Sequence, residues 1–287
     1  MFVLTGMHRS GTSFLSQAAV ALGADFGAHE EFFSADKHNE NGYFENKYYI
    51  GLNNKLLLGK QAELKYWTAP QEELWKRIYY SLISGKWKYI TFPGPKVVEK
   101  NFPLQKDEMT ALADRFKGKW VKDPRLTITM DAWRKVSDIE GIVFSYRNAA
   151  AVARSVNKRE AVPTGLAKKL WRYHVENFIE QIPDDCPVLL IDFDRFFAEE
   201  TAELEFERLR AFLGQFMATN AAARLQDVLD RDLQHHKPVI PDLSSREGII
   251  YDALTQAREH FAGEPSQYLG KEVREKIQDV IASHRSA

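Results

Sequence analysis

The chain has 287 residues, of which 44% are hydrophobic, 12% aromatic and 28% charged. This composition excludes intrinsic disorder, collagen-like repeats and low-complexity filaments. Lys and Arg number 39 against 40 Asp and Glu, so the net charge of -1 provides no global field for holding nucleic acid or an anionic membrane surface. Any anion-binding site must therefore be local.

The single cysteine, Cys186, excludes an intrachain disulfide and the multi-thiol sites of zinc and iron–sulfur proteins. No apolar run approaches the ~20 residues that span a bilayer, and the N-terminus lacks the pattern of a secretory signal. We therefore expect a cytoplasmic protein that has no integral membrane segment and binds no nucleic acid. His235 and His236 have no third ligand at metal spacing, so we expect no metal site. The sequence leaves the oligomeric state open.

Four short apolar stretches predict the strands of a parallel sheet. The first covers residues 1–5 and is followed by the loop Gly6–Gly11, after which small and apolar residues recur at helical spacing over 12–22. The other strand candidates are residues 120–122, 141–146 and 187–192, and an alanine-rich helix is expected over 149–159. Each strand is separated from the next by enough chain for a helical crossover, as a parallel sheet requires.

Residues 59–119 predict an inserted helical region, with Pro70 at a first helical position. Its second half mixes basic and aromatic residues, which would suit nucleic acid or sugar, but the helical spacing of Met109, Leu112 and Phe116 favours a core role. The prolines of this stretch, Pro93, Pro95 and Pro103, predict breaks into loops. From residue 202 onward the chain predicts amphipathic helices with acidic surface positions and a mainly structural role. We expect one domain over residues 1–287.

The first loop carries the strongest chemical signal. Gly6 and Gly11, followed by Thr12 and Ser13, have the spacing of a P-loop, in which backbone N–H groups and a helix N-terminus face a phosphate. A triphosphate-binding P-loop has Lys immediately before its Ser or Thr, and here Thr12 occupies that position. The nearest cation is Arg9, whose planar fork suits a phosphate group.

The run Arg9-Ser10-Gly11-Thr12-Ser13 resembles the 5′-phosphosulfate loop of the sulfotransferases that use 3′-phosphoadenosine 5′-phosphosulfate (PAPS). That family has a second element for the 3′-phosphate, an Arg at a strand end and a Ser eight residues later. Arg147 and Ser155 match this element in residue type, spacing and order. Family members often have Pro two residues after the Arg, where this chain has Ala149.

The resemblance extends to a bacterial branch of the family over roughly Phe2 to Phe193. The matching segments are Asn41-Gly42-Tyr43-Phe44-Glu45, Lys122-Asp123-Pro124-Arg125 and Leu170-Trp171-Arg172-Tyr173. The match is weakest over residues 59–119, where an acceptor would be chosen.

The resemblance implies a P-loop-NTPase-like three-layer α/β fold with a central parallel sheet, and PAPS as cosubstrate with adenosine 3′,5′-bisphosphate as product. It implies nucleotide binding by His8, Arg9, Ser10, Gly11, Thr12, Ser13, Arg147 and Ser155. Arg9 and Lys122 would stabilise the transferred sulfuryl group, and Glu45 would be the general base, with Glu31 as the alternative base. Asp123 and Arg125 are expected to pair with each other or to orient their loop.

The acceptor stays open from sequence: a hydroxyl or amine of a carbohydrate, a lipid-linked glycan or a small metabolite. Aromatic residues between Tyr66 and Tyr89 would suit sugar rings, and they fit a helix core equally well. Two other classes also stay open: a P-loop phosphotransferase that uses ATP and Mg²⁺, and a nucleotide-binding protein without catalysis.

Overall fold

A parallel sheet of four short strands organises the computed structural model, which describes residues 1–32, 44–59, 92–229, 241–262 and 268–286. The strands are β1 (Phe2–Thr5), β2 (Trp120–Lys122), β3 (Gly141–Tyr146) and β4 (Val188–Asp192). Their order in the sheet is β2-β1-β3-β4, and every neighbouring pair is parallel. The parallel sheet expected from the sequence is thereby confirmed.

Nine α-helices are present in the described ranges. They are α1 (Thr12–Ala21), α2 (Lys47–Leu58), α3 (Pro95–Arg115), α4 (Leu126–Arg134), α5 (Ala149–Glu160), α6 (Thr164–Gln181), α7 (Ala202–Leu213), α8 (Arg246–His260) and α9 (Gly270–Ser286). Asn46 and Asn148 begin α2 and α5 by accepting backbone N–H groups of the first turn. The strand–loop–helix order expected around Gly6–Gly11 is therefore present.

The sheet buries both of its faces, because alternate residues of each strand point to opposite sides. On β1, Phe2 and Leu4 pack with α1 and α7, whereas Val3 packs with the cluster that includes α2, α4, α6 and α8. All the residues of the four strands are buried. Helices thus cover the sheet on both sides, which explains why the strands are continuous apolar runs in the sequence.

The prediction that prolines break the segment before β2 into loops is wrong for two of them. Pro95 occupies the first turn of α3, where a missing N–H costs nothing, and Pro103 lies inside this 21-residue helix. Pro103 is on the exposed face, while Met109 and Leu112 bury the opposite face. Burial of that face offsets the loss of about 3 kcal/mol in helix stability that an interior proline causes.

The strand order has a switch point between β1 and β3, where a crevice is expected at the carboxyl ends of the strands. From β1 the chain crosses to β2 on one side and then returns to β3 on the other, so the connections leave β1 and β3 in opposite directions. In open parallel sheets such a switch point, at the carboxyl ends of the strands, is where ligands bind. The loop after β1 and Arg147 after β3 both lie at this edge. Of the described helices, none is long and apolar enough to cross a membrane.

Candidate functional site

The loop Gly6–Gly11 follows β1 with a conformation that requires glycine at both ends. Gly11 has φ of 87°, and a Cβ there would lie 1.9 Å from the ring of Phe193. A Cβ on Gly6 would lie 2.1 Å from the carbonyl oxygen of Ser145. The loop is therefore pressed against β3 and against the turn that follows β4, and larger side chains would force it away from the sheet.

The junction of this loop with α1 suits an anion. Gly11 gives no side-chain cap, and the first turn of α1 has no acidic residue. The side chain of Ser10 is buried, and its Oγ has no hydrogen-bond partner among the described residues. Thr12 is buried and Ser13 is half-buried beside it. A buried hydroxyl without a partner next to a helix N-terminus fits a ligand oxygen at this position.

Arg9 connects the two predicted phosphate elements. Its Nε donates a hydrogen bond to Ser155 Oγ on α5 at 2.9 Å. Arg9 also has φ of 71°, a left-handed conformation that is uncommon outside glycine. The Arg9 side chain, which belongs to the loop after β1, thus reaches the helix after β3 across the crevice between these strands.

Arg147 lies at the carboxyl end of β3 and is 4% exposed. Its Nε is 2.8 Å from Asp194 Oδ1, and its Cζ lies 5.1 Å from the centre of the Phe193 ring. Its carbonyl oxygen accepts a hydrogen bond from Trp171 Nε1 at 3.0 Å. A carboxylate, an aromatic face and an indole therefore fix this residue at the edge of the crevice.

Lys122, Glu45 and Ser13 meet, although each comes from a different segment. Lys122 Nζ is 2.6 Å from Glu45 Oε1 and donates to Ser13 Oγ at 3.3 Å. The Lys122 side chain is 1% exposed and the Glu45 side chain 14% exposed. We call these three residues the Lys122 cluster. It places a cation, a carboxylate and a hydroxyl beside the first turn of α1.

Glu31, the alternative base, has a different environment. It forms an ion pair with Arg115 and accepts a hydrogen bond from Asn46 Nδ2 at 2.9 Å. Asn46 is the N-cap of α2 and pairs with Phe32 in an isolated antiparallel bridge. These contacts connect Glu31 to the start of α2 and to the end of α3. Glu31 therefore supports the segment that carries Glu45.

Asp123 and Arg125 pair, as the sequence led us to expect. Arg125 Nη1 lies 2.9 Å from Asp123 Oδ1, which also accepts the Arg125 backbone N–H. Asn53 and Asn54 of α2 complete the network by donating to Asp123 Oδ2 and by accepting from Arg125 Nε. The network is buried, and it joins α2 to the turn that directly follows Lys122 at the end of β2.

His8 lies near a second histidine that the sequence analysis did not select. Its ring is 6.1 Å from the ring of His174 on α6. Burial and then the charge of Arg125 lower the pKa of His174 to about 4, so this imidazole is neutral at physiological pH. Thr127 Oγ1 donates to Pro124 and therefore accepts from Nδ1–H of His174 at 2.6 Å.

Phe193 and Asp194 are further site residues that sequence reasoning missed. Both follow β4 and contact Arg147 or the loop only because β4 pairs with β3, with Tyr146 opposite Asp192. Their spacing from one another carried no motif. The sequence signal that could have found them is their position. Phe193 and Asp194 lie at the carboxyl end of a buried strand, as Lys122 and Arg147 do.

Several sequence predictions lie outside the described residues. They are residues 41–43 of the Asn41–Glu45 motif, Pro70, the aromatic residues between Tyr66 and Tyr89, and the pair His235 and His236. Within the described ranges, no three His, Cys, Asp or Glu side chains form a group that would hold a metal ion. A cleft of about 520 Å³ lies between α3, α4 and α6, and its lining among these residues includes none of the predicted site residues.

Comparison with known proteins finds no relative of this chain. The chain matches no protein-family model, no curated protein and no solved structure.

Proposed function

We propose that this protein is a PAPS-dependent sulfotransferase with a P-loop-like α/β fold. The observation that carries the proposal is the hydrogen bond of 2.9 Å between Arg9 and Ser155. These residues belong to the two motifs assigned by resemblance to the 5′-phosphosulfate and the 3′-phosphate of one nucleotide. Their contact means that a single ligand of nucleotide size would reach both motifs.

The donor would bind across the crevice between β1 and β3. The backbone of the loop Gly6–Gly11, the N-terminus of α1 and Arg9 would hold the 5′ end, with the buried Ser10 hydroxyl as a further partner. Arg147 and Ser155 would hold the 3′-phosphate. Thr12 in place of the triphosphate lysine supports this reading over a kinase.

The Lys122 cluster would perform the transfer. The acceptor oxygen would form a bond to sulfur while the bond between sulfur and the bridging phosphate oxygen breaks, and the electron pair of that bond would leave with adenosine 3′,5′-bisphosphate. Glu45 would accept the proton of the acceptor hydroxyl. Lys122 and Arg9 would stabilise the charge that develops on the sulfuryl and bridging oxygens.

The short contact between Lys122 and Glu45 implies an order of events. The Lys122 ammonium lies 2.6 Å from Glu45 Oε1 and occupies one side of the carboxylate in the structure. Attraction of Lys122 toward the phosphosulfate would loosen this pair and leave the carboxylate to accept the proton. The acceptor itself would be a hydroxyl or amine compound selected by residues 59–119, the region where the family resemblance is weakest.

Calorimetric titration with adenosine 3′,5′-bisphosphate, run beside ATP with Mg²⁺, tests the proposal. We expect selective binding of the bisphosphate by the wild type and at least about tenfold weaker binding by Arg147→Ala, because a charged hydrogen-bond donor is lost. Arg134→Ala is the matched control, since this arginine is 42% exposed and pairs only weakly with Asp131 at 3.2 Å. It should bind as the wild type does.

Other results of the same titration would point to the other classes. Magnesium-dependent ATP binding without bisphosphate binding would contradict the proposal and favour a phosphotransferase. Selective bisphosphate binding with no slow release of sulfate from PAPS would favour a nucleotide-binding protein without catalysis. The hydrolysis assay needs no knowledge of the acceptor, because water replaces it.

A further inference from the structure

The buried contact between Asp194 and Arg147 is not explained by phosphate binding alone. Asp194 lies in the turn after β4, and the pairing of Tyr146 with Asp192 brings it beside Arg147. The distance from Asp194 Oδ1 to Arg147 Nε is 2.8 Å, and the two side chains are 8% and 5% exposed. A carboxylate has thus been placed where the proposed ligand would bring a second anion.

This contact controls the orientation of the Arg147 guanidinium. Asp194 holds the Nε edge, and the Phe193 ring lies 5.1 Å from Cζ on the face of the group. An edge contact together with a face contact fixes the plane of the guanidinium before any ligand binds. Arginine binds a phosphate in pairs through its planar fork, so a fixed plane lowers the conformational entropy that binding costs.

Both positive and negative groups surround the Asp194 carboxylate. Arg147 from the end of β3 and Arg154 from α5 attract its carboxylate, whereas Asp192 from the end of β4 repels it. Tyr251 from α8 also faces this group and donates to Asp192 Oδ2 at 2.7 Å. Burial, the largest effect, raises the pKa of Asp194 to about 6.

A phosphate that arrives at Arg147 changes this balance. It carries about 1.5 to 2 negative charges and competes for the cation that stabilises the Asp194 carboxylate. The charged form of Asp194 becomes less favourable, so a fraction of the molecules take up a proton as the phosphate binds. Proton uptake removes the repulsion between the two anions while the side chain stays in place.

We propose that Asp194 is a positioning residue, which orients Arg147 toward the 3′-phosphate and becomes protonated as this phosphate binds. The inference rests on the proposed function. Asp194 then has two separable effects. Its side chain orients Arg147, and its negative charge opposes the binding of the phosphate. Above pH about 6, where Asp194 is ionised in the free protein, it weakens the binding of 3′-phosphorylated nucleotides relative to a protein whose residue 194 does not titrate.

Two substitutions separate these effects. Asp194→Asn keeps the size of the side chain and an oxygen beside Arg147 Nε and removes the titration, so the bisphosphate should bind about as tightly as to the wild type at low pH and several-fold more tightly at high pH. Asp194→Ala removes the orienting contact, and binding should weaken by at least about tenfold at every pH. Thermal unfolding of both variants establishes that they are folded at the temperature of the titration.

The deciding measurement is the number of protons taken up on binding, obtained by calorimetry in buffers of different ionisation enthalpy near neutral pH. Adenosine 3′,5′-bisphosphate is the probe, and its own 3′-phosphate titrates at about 6. The difference between wild type and Asp194→Asn therefore isolates Asp194. Adenosine 5′-monophosphate, which lacks the 3′-phosphate, should show no difference between the two proteins.

We expect greater proton uptake by the wild type than by Asp194→Asn. Equal uptake by the two proteins, or wild-type affinity in Asp194→Ala, would overturn the role of Asp194 and leave the proposed function standing. If the wild type does not bind the bisphosphate at all, the proposed function fails first and this inference fails with it. The two failures are thus distinguishable.

Discussion

Two ion-pair clusters in this protein have similar chemistry and different surroundings. The Lys122 cluster joins one lysine, one glutamate and a serine at the carboxyl edge of the sheet. The second cluster, which we call the Glu205 cluster, joins the carboxylate of Glu205 on α7 to Arg195, Arg208 and Arg258. The Glu205 side chain is 0% exposed, whereas that of Glu45 is 14% exposed.

The two ion-pair clusters differ in position, and this difference leads us to expect a structural role for one and a role in the proposed reaction for the other. Glu205 is enclosed by its arginines, and burial lowers the pKa of Arg208 to about 10. The Lys122 cluster lies next to the glycine loop and joins three chain segments at the carboxyl edge of the sheet, at the end of β2. We therefore expect changes in the Glu205 cluster to act on stability, and changes in the Lys122 cluster to act on turnover.

The largest expected effect is on stability. Glu205→Gln leaves three arginines without their shared carboxylate in the core, and we expect a loss of about 3–5 kcal/mol in the free energy of unfolding. Denaturant unfolding measures it. Glu207→Gln on the same helix is the control, because Glu207 is 56% exposed and should change stability by less than about 1 kcal/mol. Similar losses for both variants would contradict the distinction.

The next effect is on catalysis by the proposed base. Glu45→Gln should lower the rate of sulfuryl transfer, or of PAPS hydrolysis, by about 10²–10⁴-fold. It should cost less stability than Glu205→Gln, because Glu45 is 14% exposed and Lys122 keeps its contact with Ser13. Glu31→Gln provides the comparison, since Glu31 contacts Arg115 and Asn46 and supports the same segment. A greater loss of rate in Glu31→Gln than in Glu45→Gln would reverse the assignment of the base.

Lys122→Met should lower the same rate by about 10²-fold, because a donor directed at developing charge is removed. Binding of adenosine 3′,5′-bisphosphate should change less than the rate, since Lys122 contacts Ser13 and Glu45, which are assigned to the 5′ end of the donor and to the acceptor. Lys119→Met is the control, because this neighbouring lysine is 38% exposed. An equal loss of rate in both variants would exclude a specific role for Lys122.

The smallest expected effect concerns the pH dependence of stability. The pKa of His174 is lowered to about 4, so the unfolded chain protonates this residue at a higher pH than the folded protein does. Its contribution to stability is complete above pH 6.5 and is lost as the pH falls toward 4, by at most about 1.4 kcal/mol per pH unit. Asp194, whose pKa is raised to about 6, acts in the opposite direction in acid.

Denaturant unfolding of the wild type and of His174→Gln at several pH values separates these two contributions. The variant should lose less stability than the wild type on acidification, because only the histidine has been removed. Parallel pH profiles would show that His174 titrates normally in the folded protein.

The sequence was sufficient to predict the sheet and the residues at its strand ends. Continuous apolar runs such as residues 141–146 predict buried parallel strands, and Lys122 ends one predicted strand while Arg147 follows another. The resemblance to a family then assigned them roles, and the structure brings Lys122 to Glu45 and Arg9 to Ser155. The parallel sheet is thereby confirmed, whereas the roles that the resemblance implies for these residues stay predictions.

The sequence was not sufficient where a residue depends on partners that are distant along the chain. Glu205 occupies a position on an amphipathic helix that predicts an exposed acid, yet it is buried because arginines from α7, α8 and the turn after β4 surround it. Asp194 likewise gains its role from the pairing of β3 with β4. Neither arrangement leaves a periodicity or a motif.

Amide hydrogen exchange with and without adenosine 3′,5′-bisphosphate tests the central claim that one nucleotide spans both motifs. We predict slower exchange in residues 6–13 and in residues 147–155 together, and unchanged exchange in the part of α7 that carries Glu205. Protection of only one of the two motifs, or protection confined to the cleft between α3, α4 and α6, would contradict the account.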